Sequence, residues 1–267
     1  MFFGYGAKTK VMFGTPAQEI YLQTRLDDEY IYLITQECVR KNLCYVNDTV
    51  NYFVPSQSTT FSTQMKIFET TRPHAIGTWA EDVVQVSTFS QKLRFGLVEK
   101  ARYLIQGNGV FGLKWSRENN NHINQLLRDY RYPVIGIGLL VGVSEAYPYN
   151  GELILGGGSK LCQGIYEFVD INTQKYDGWI FDVKRFIFGE VTVTSEIPVT
   201  FALGQEFTLF PDELFTKIVN ELGARQSNSQ QATYYVRYNG IGFPIMGFET
   251  NGIILTMRPK DYLGKVG

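Results

Sequence analysis

Histidine, cysteine and any excess of one charge are what this 267-residue chain has least of. It has two His and three Cys, with no Cys-x-x-Cys pair. That excludes the usual structural zinc arrangements, and no metal site is expected. Twenty-five Lys and Arg stand against 26 Asp and Glu, for a net charge of −1. No strong field points toward nucleic acid or an anionic membrane, so neither is expected as a partner. No apolar run approaches the roughly 20 residues that cross a bilayer as a helix. The opening residues, Met1-Phe2-Phe3-Gly4-Tyr5-Gly6, have neither the basic nor the long apolar stretch of a secretory leader. On this reading a leader has been removed or omitted, or the protein stays inside the cell.

The chain is rich in apolar and aromatic residues. It is 44% hydrophobic and 15% aromatic, which suffices for one large domain or two lobes with real cores and excludes a disordered chain. Its 26 Gly, 17 Tyr and 19 Phe lie in short apolar runs between turn signals, a β-leaning composition. Lys10–Phe13 and Glu19–Leu22 flank Gly14-Thr15-Pro16, a turn by its chemistry. Tyr30–Ile34 predicts a third strand, residues 36–60 a polar loop, and 61–70 an alternating strand that breaks at Arg72-Pro73. Asp82–Val86 and Leu93–Leu97 predict further short strands. Two helices are expected. One starts at Ile123, with Leu126, Leu127 and Tyr130 at helical spacing. The other has Pro211 in its first turn, Asp212 and Glu213 beside it, an apolar stripe through Leu214, Phe215, Ile218, Val219 and Leu222, and Gly223 as its stop. The polar stretch 227–231 predicts a solvated loop.

Four segments, taken in order, resemble pepsin-like aspartic proteases. They are Phe13-Gly14-Thr15-Pro16-Ala17-Gln18, then Asp82–Val86 with Phe95-Gly96-Leu97, then Gly109-Val110-Phe111-Gly112-Leu113, then Gly151–Gly157. Gly178-Trp179-Ile180-Phe181-Asp182-Val183 is similar to the strand that opens the family's second lobe. The resemblance covers nearly the whole chain. It implies a mostly β, bilobal acid-protease fold with a central peptide-binding cleft, an N-terminal lobe over 1–168 and a C-terminal lobe over 169–267. It also implies several tens of residues beyond Lys260, so the second lobe is expected to be short of its last strands, with unpaired edges and exposed apolar surface.

The family's chemistry needs two aspartates, each in an Asp-Thr-Gly loop. Like charges held that close share one proton, so that one carboxylate deprotonates a water while its protonated partner polarises the scissile carbonyl. Counted from Phe13, the first Asp position is Arg25, followed by Leu26 and Asp27. Counted back from Pro211, the second is Ala202, followed by Leu203 and Gly204. Both acids are absent and both threonines are leucines. Losing a buried hydrogen-bonded pair on both sides at once can be nearly neutral for folding. The expectation is a homologue without catalysis that binds a peptide or protein in the former cleft. The alternative is an active secreted aspartic endopeptidase whose loops are misaligned or whose sequence is mis-spliced; a two-residue slip would put Asp27 at the acid position, against the reading of a charged loop at a cleft edge.

Other positions follow from the same alignment. The flap tyrosine becomes Thr70 and the flap tip becomes Thr71-Arg72-Pro73-His74, with His74 at the surface; the Asp of the family's Asp-Gly-Ile-Leu-Gly motif becomes Asn108. Arg25 requires a partner if it is buried, with Asp27, Asp28 and Glu206 as candidates, or it reaches out to solvent. Cys38 and Cys44 match the small disulfide loop that follows the family's first catalytic turn, and Asn47-Asp48-Thr49 is a glycosylation acceptor in that loop. Both point to a secretory or lysosomal setting. Cys162, without an evident partner, is similar to a Cys of some nematode members. His122 is expected to be solvated near a helix start, and Trp79, Trp115 and Trp179 to lie in the core. No cofactor is expected.

Overall fold

The computed structural model describes residues 7–45, 51–71, 74–102, 107–117, 122–128, 130–131, 134–139, 151–156, 169–203, 208–226, 234–236 and 242–263. It is mostly β. Seven strands form one sheet: β1 (Lys8–Phe13), β2 (Gln18–Arg25), β3 (Ile31–Ile34), β4 (Ser62–Thr71), β5 (His74–Val86), β6 (Phe89–Ala101) and β7 (Gly109–Gly112). Their order is β1-β2-β7-β3-β6-β5-β4. Next come β8 (Ile135–Leu139) and β9 (Gly151–Leu155), which pair with each other. The remaining strands are β10 (Ile180–Val183), β11 (Arg185–Phe188), β12 (Val191–Val193), β13 (Ile197–Thr200), β14 (Arg225–Gln226), β15 (Tyr234–Tyr235), β16 (Met246–Thr250) and β17 (Ile253–Met257). They form the four-stranded sheet β12-β11-β16-β17 and the pairs β10-β13 and β14-β15. Every described sheet takes its strands from one side of residues 157–168.

One topological feature positions the site. β7 lies between β2 and β3, parallel to β2 and antiparallel to β3. The chain leaving β2 at Arg25 must therefore arch over the end of β7 to reach Ile31. Arg25 is paired with Gly112, and Ile31 with Phe111, so residues 26–30 span that end. The arch closes down tightly. A Cβ on Gly112 would lie 2.4 Å from the Asp28 carbonyl oxygen and 2.6 Å from that of Tyr30, so only glycine fits there.

The arch rests on the larger of two cores in this half. β-Strand alternation turns Val11, Phe13, Ile20, Leu22, Phe95 and Phe111 inward, all essentially without exposure. Phe13, Phe53 and Phe95 meet at centroid separations of 5.2–6.0 Å, tilted or edge-on, the arrangement aromatic quadrupoles favour. A second cluster unites Tyr32, Phe68, Ala75 and Val98 with Cys38 and Cys44. Those two cysteines form the disulfide. The other half has a smaller cluster built on Phe186, Phe188, Leu214, Ile218 and Met246.

Several sequence expectations need correction. The 36–60 segment is not all loop: α1 (Gln36–Arg40) forms there, capped by the Thr35 hydroxyl accepting from Cys38 N–H at 3.2 Å, and a 3-10 turn covers Pro55–Gln57. A single turn that short has no room for an apolar stripe, so periodicity misses it. The described helices also include α2 (His122–Leu127), α3 (Asp212–Glu221) and the one-turn α4 (Pro259–Tyr262), more than the two expected. Pro211 sits just before α3 as its cap residue, one position earlier than expected, and Gly223 ends the helix at φ +58° as expected. β5 and β6 are each 13 residues, much longer than the short runs seen in sequence, because polar residues continue the ladder beyond the apolar stretch. Among the described residues, no helix is long and apolar enough to cross a membrane.

Candidate functional site

The arch at 26–30 is the segment that the sequence leads one to expect at the first catalytic loop. Arg25 ends β2, and its carbonyl accepts from Leu113 N–H at 2.6 Å. Its guanidinium forks onto the next acid: Nε donates to Asp27 Oδ1 at 2.9 Å and Nη2 to Oδ2 at 2.6 Å. The Arg25 side chain is 17% exposed and that of Asp27 41%. Arg25 therefore lies largely inside, with its charge answered by Asp27, and does not run out to solvent. Burial works against its charge, yet the bonds to Asp27 outweigh burial and hold its pKa above the ordinary value. Leu26 folds back onto the larger core.

Asp28 behaves differently from its neighbour. It is 4% exposed. Its Oδ1 accepts from Tyr30 N–H and its Oδ2 from the Tyr32 hydroxyl, both at 3.1 Å. Burial pushes its carboxyl up from the usual 3.8 to about 6, although those two hydrogen bonds and the Arg25 charge pull the other way. Burial, then the facing carboxylate, also raises the Tyr32 phenol.

His122 is buried, contrary to the solvated position expected for it. It opens α2, whose Ile123, Leu126 and Leu127 enter the larger core and carry the imidazole in with them. Its Nε2 meets the Gly112 carbonyl, and the ring also engages the carbonyl of Glu29. Burial takes its pKa down from 6.5 to about 4 against the pull of those two carbonyls. The sequence signal was available: a His directly before an apolar helical stripe shares that stripe's burial.

The second loop is barer. Ala202 follows β13 and is exposed, as is Phe201, while Leu203 is half-buried. Gly204 and Glu206 lie outside the described residues. In the flap hairpin, Thr70 is buried opposite Ala75, and its carbonyl lies 3.4 Å from His74 Nδ1. His74 is part-exposed where β5 begins. Arg72 and Pro73 fall outside the described residues, as do Asn47, Cys162 and the 227–231 stretch. Asn108 is buried; its Nδ2 donates to the Asn51 carbonyl and its own carbonyl accepts from Ile34 N–H at 2.7 Å. It serves as a strut between strands and a loop. Trp79 packs partly buried on the second cluster, and Trp115 and Trp179 are half-buried. Trp179 Nε1 donates to the Leu113 carbonyl at 2.6 Å, and Lys114 meets Asp177 at 2.8 Å, joining the end of β7 to the segment before β10. Among the described residues, no group of three or more metal-binding side chains exists.

This arrangement holds charge in place. Asp27 has a permanent cation across its carboxylate, and Asp28 is turned inward onto Tyr30 and Tyr32. A profile of eukaryotic aspartyl proteases matches residues 6–267. The chain belongs to that family. No curated protein matches it. The profile match spans the arch over β7 and the segment around Ala202.

Proposed function

We propose that this aspartyl protease homologue does not cleave peptides and that its cleft, between lobes at 1–168 and 169–267, holds a peptide or protein segment unreacted. The observation that carries the reading is the Arg25–Asp27 fork at the first acid position. Water activation by this family requires two acids that share a proton. A guanidinium cannot accept that proton, and it occupies both oxygens of the neighbouring Asp27 carboxyl. Ala202, with a methyl side chain at the second position, offers no acid either. The retained scaffold, from the Gly14 turn to the glycine at 112, supports a protein kept for binding. The Cys38–Cys44 disulfide and the family membership support a secretory or lysosomal setting.

The test is a fluorogenic peptide library offered to the pure protein between pH 3 and 7, with and without pepstatin. No pepstatin-sensitive turnover is expected. Turnover that pepstatin abolishes, and that Asp27→Asn also abolishes, would restore the reading of an active endopeptidase with a shifted loop.

A further inference from the structure

We propose that Asp28 and His122 are an opposed pair of proton-binding groups that keep the 25–30 arch in one position from neutral to moderately acidic pH. The inference does not depend on what the cleft holds.

Geometry carries it. Three consecutive residues of the arch are each tied down, and both buried ionisable groups take part. Asp28 grips Tyr30 N–H and the Tyr32 hydroxyl through its carboxyl, while its backbone carbonyl accepts from Lys114 N–H at 2.9 Å. The Glu29 carbonyl meets the His122 ring. The Tyr30 carbonyl accepts from Gly112 N–H at 3.1 Å, and the Gly112 carbonyl in turn meets His122 Nε2. Both protonation states of Asp28 suit its partners, whereas a neutral His122 donates to one of its two carbonyls at a time and a protonated one to both. A protonated Asp28 keeps one oxygen for Tyr30 N–H and can donate to the Tyr32 oxygen, because a hydroxyl both gives and accepts. A neutral imidazole has one N–H for two carbonyls, and a protonated one has two.

Among the described residues, the charged neighbours are few. Asp28 faces Arg25 from β2, Asp27 within the arch and Tyr32 from β3. His122 faces the Phe111 ring and the Gly112 carbonyl from β7 and the Glu29 carbonyl from the arch. The β6 members of the core that α2 enters, Phe89, Leu93, Phe95 and Leu97, are uncharged.

The two groups drive stability in opposite directions. Asp28 has a raised folded pKa, so its contribution is complete below 3.8 and is lost as pH rises through about 6. His122 has a lowered folded pKa, so its contribution is complete above 6.5 and is lost as pH falls through about 4. Between pH 4 and 6, folding takes up a proton at Asp28 and releases one at His122, and the two slopes cancel.

Denaturant unfolding of the full chain at pH 7, 6, 5 and 4 tests this, on wild type, Asp28→Asn, His122→Gln and the double variant. Relative to wild type, the folding equilibrium of Asp28→Asn should worsen by up to about tenfold per pH unit between 6 and 4. That of His122→Gln should improve by a similar factor, and the double variant should follow the wild-type slope. Differences from wild type that stay constant across this range would overturn the pairing. Should a variant fail to fold, NMR of a His74→Gln chain leaves the His122 ring alone to be followed. A midpoint well below 6.5 is expected, and an ordinary midpoint near 6.5 would equally overturn it.

Discussion

The two halves of the molecule treat the same residue types differently. In the first, a seven-stranded sheet encloses two clusters, and Phe13, Phe68, Phe95 and Phe111 have no exposure. In the second, the described strands divide into a four-stranded sheet and pairs; Phe186 and Phe188 are as deeply buried, but Phe201 is 60% exposed and Phe215 37%, and apolar side chains such as Ile67 also lie exposed in the first half. The loops at Arg25 and Ala202 follow the same division. Arg25 is set into the sheet, with its carbonyl and guanidinium both engaged, whereas Ala202 lies exposed after β13. A loop that arches over a buried strand is held by the fold whatever its chemistry. A loop with no side chain to bond relies on what surrounds it.

The sharpest way to break this comparison is at a buried ring. Phe95→Ala removes a side chain that packs on Phe13 and Phe53 at the centre of the larger core. It should cost about 3–5 kcal/mol, read as a shift of the denaturant midpoint. A loss under about 1 kcal/mol would mean that the first half is no better packed than the second. Next in size is the covalent tie. Cys38 and Cys44 close a loop with a sequence separation of 6. Replacing both with serine should cost about 2 kcal/mol by loop-closure entropy, in the same assay. The first half should lose that stability while the second melts unchanged.

A smaller effect is expected at the arch. Arg25→Leu removes a partner from Asp27, but Asp27 is 41% exposed and water takes over, so the stability loss should be about 1 kcal/mol or less. The informative readout is the Asp28 titration. The Arg25 charge lowers the Asp28 pKa, so its removal should move the midpoint further above about 6. A carboxyl resonance that does not move would separate Arg25 from Asp28 electrostatically.

Much of this was legible in the sequence for physical reasons. The Gly14 turn, the strand runs and the Gly109–Leu113 segment carry local chemistry that dictates local shape, and their order gave the family. The expected replacement of both acids rests on counting from such anchors. What escaped depended on distant partners. Asp28 and Asp27 are adjacent and chemically identical, and only the passage of β7 beneath the arch turns one inward and leaves the other out. His122 needed the knowledge that α2 enters the core under Gly112. The lengths of β5 and β6 escaped because their outer residues pair through backbone, which side-chain periodicity does not report.

The mildest change completes the comparison. Phe201 is the same residue type as Phe95, but it is 60% exposed and meets Phe181 at 5.7 Å in a tilted contact. Phe201→Ser should therefore alter stability by no more than about 0.5–1 kcal/mol, since most of the ring already contacts water. It should reduce binding of an apolar dye to the folded protein, because Phe201 and Leu209 are exposed close together in sequence. A cost approaching that of Phe95→Ala would place Phe201 in a core in solution and would remove the contrast between the loops at Arg25 and Ala202.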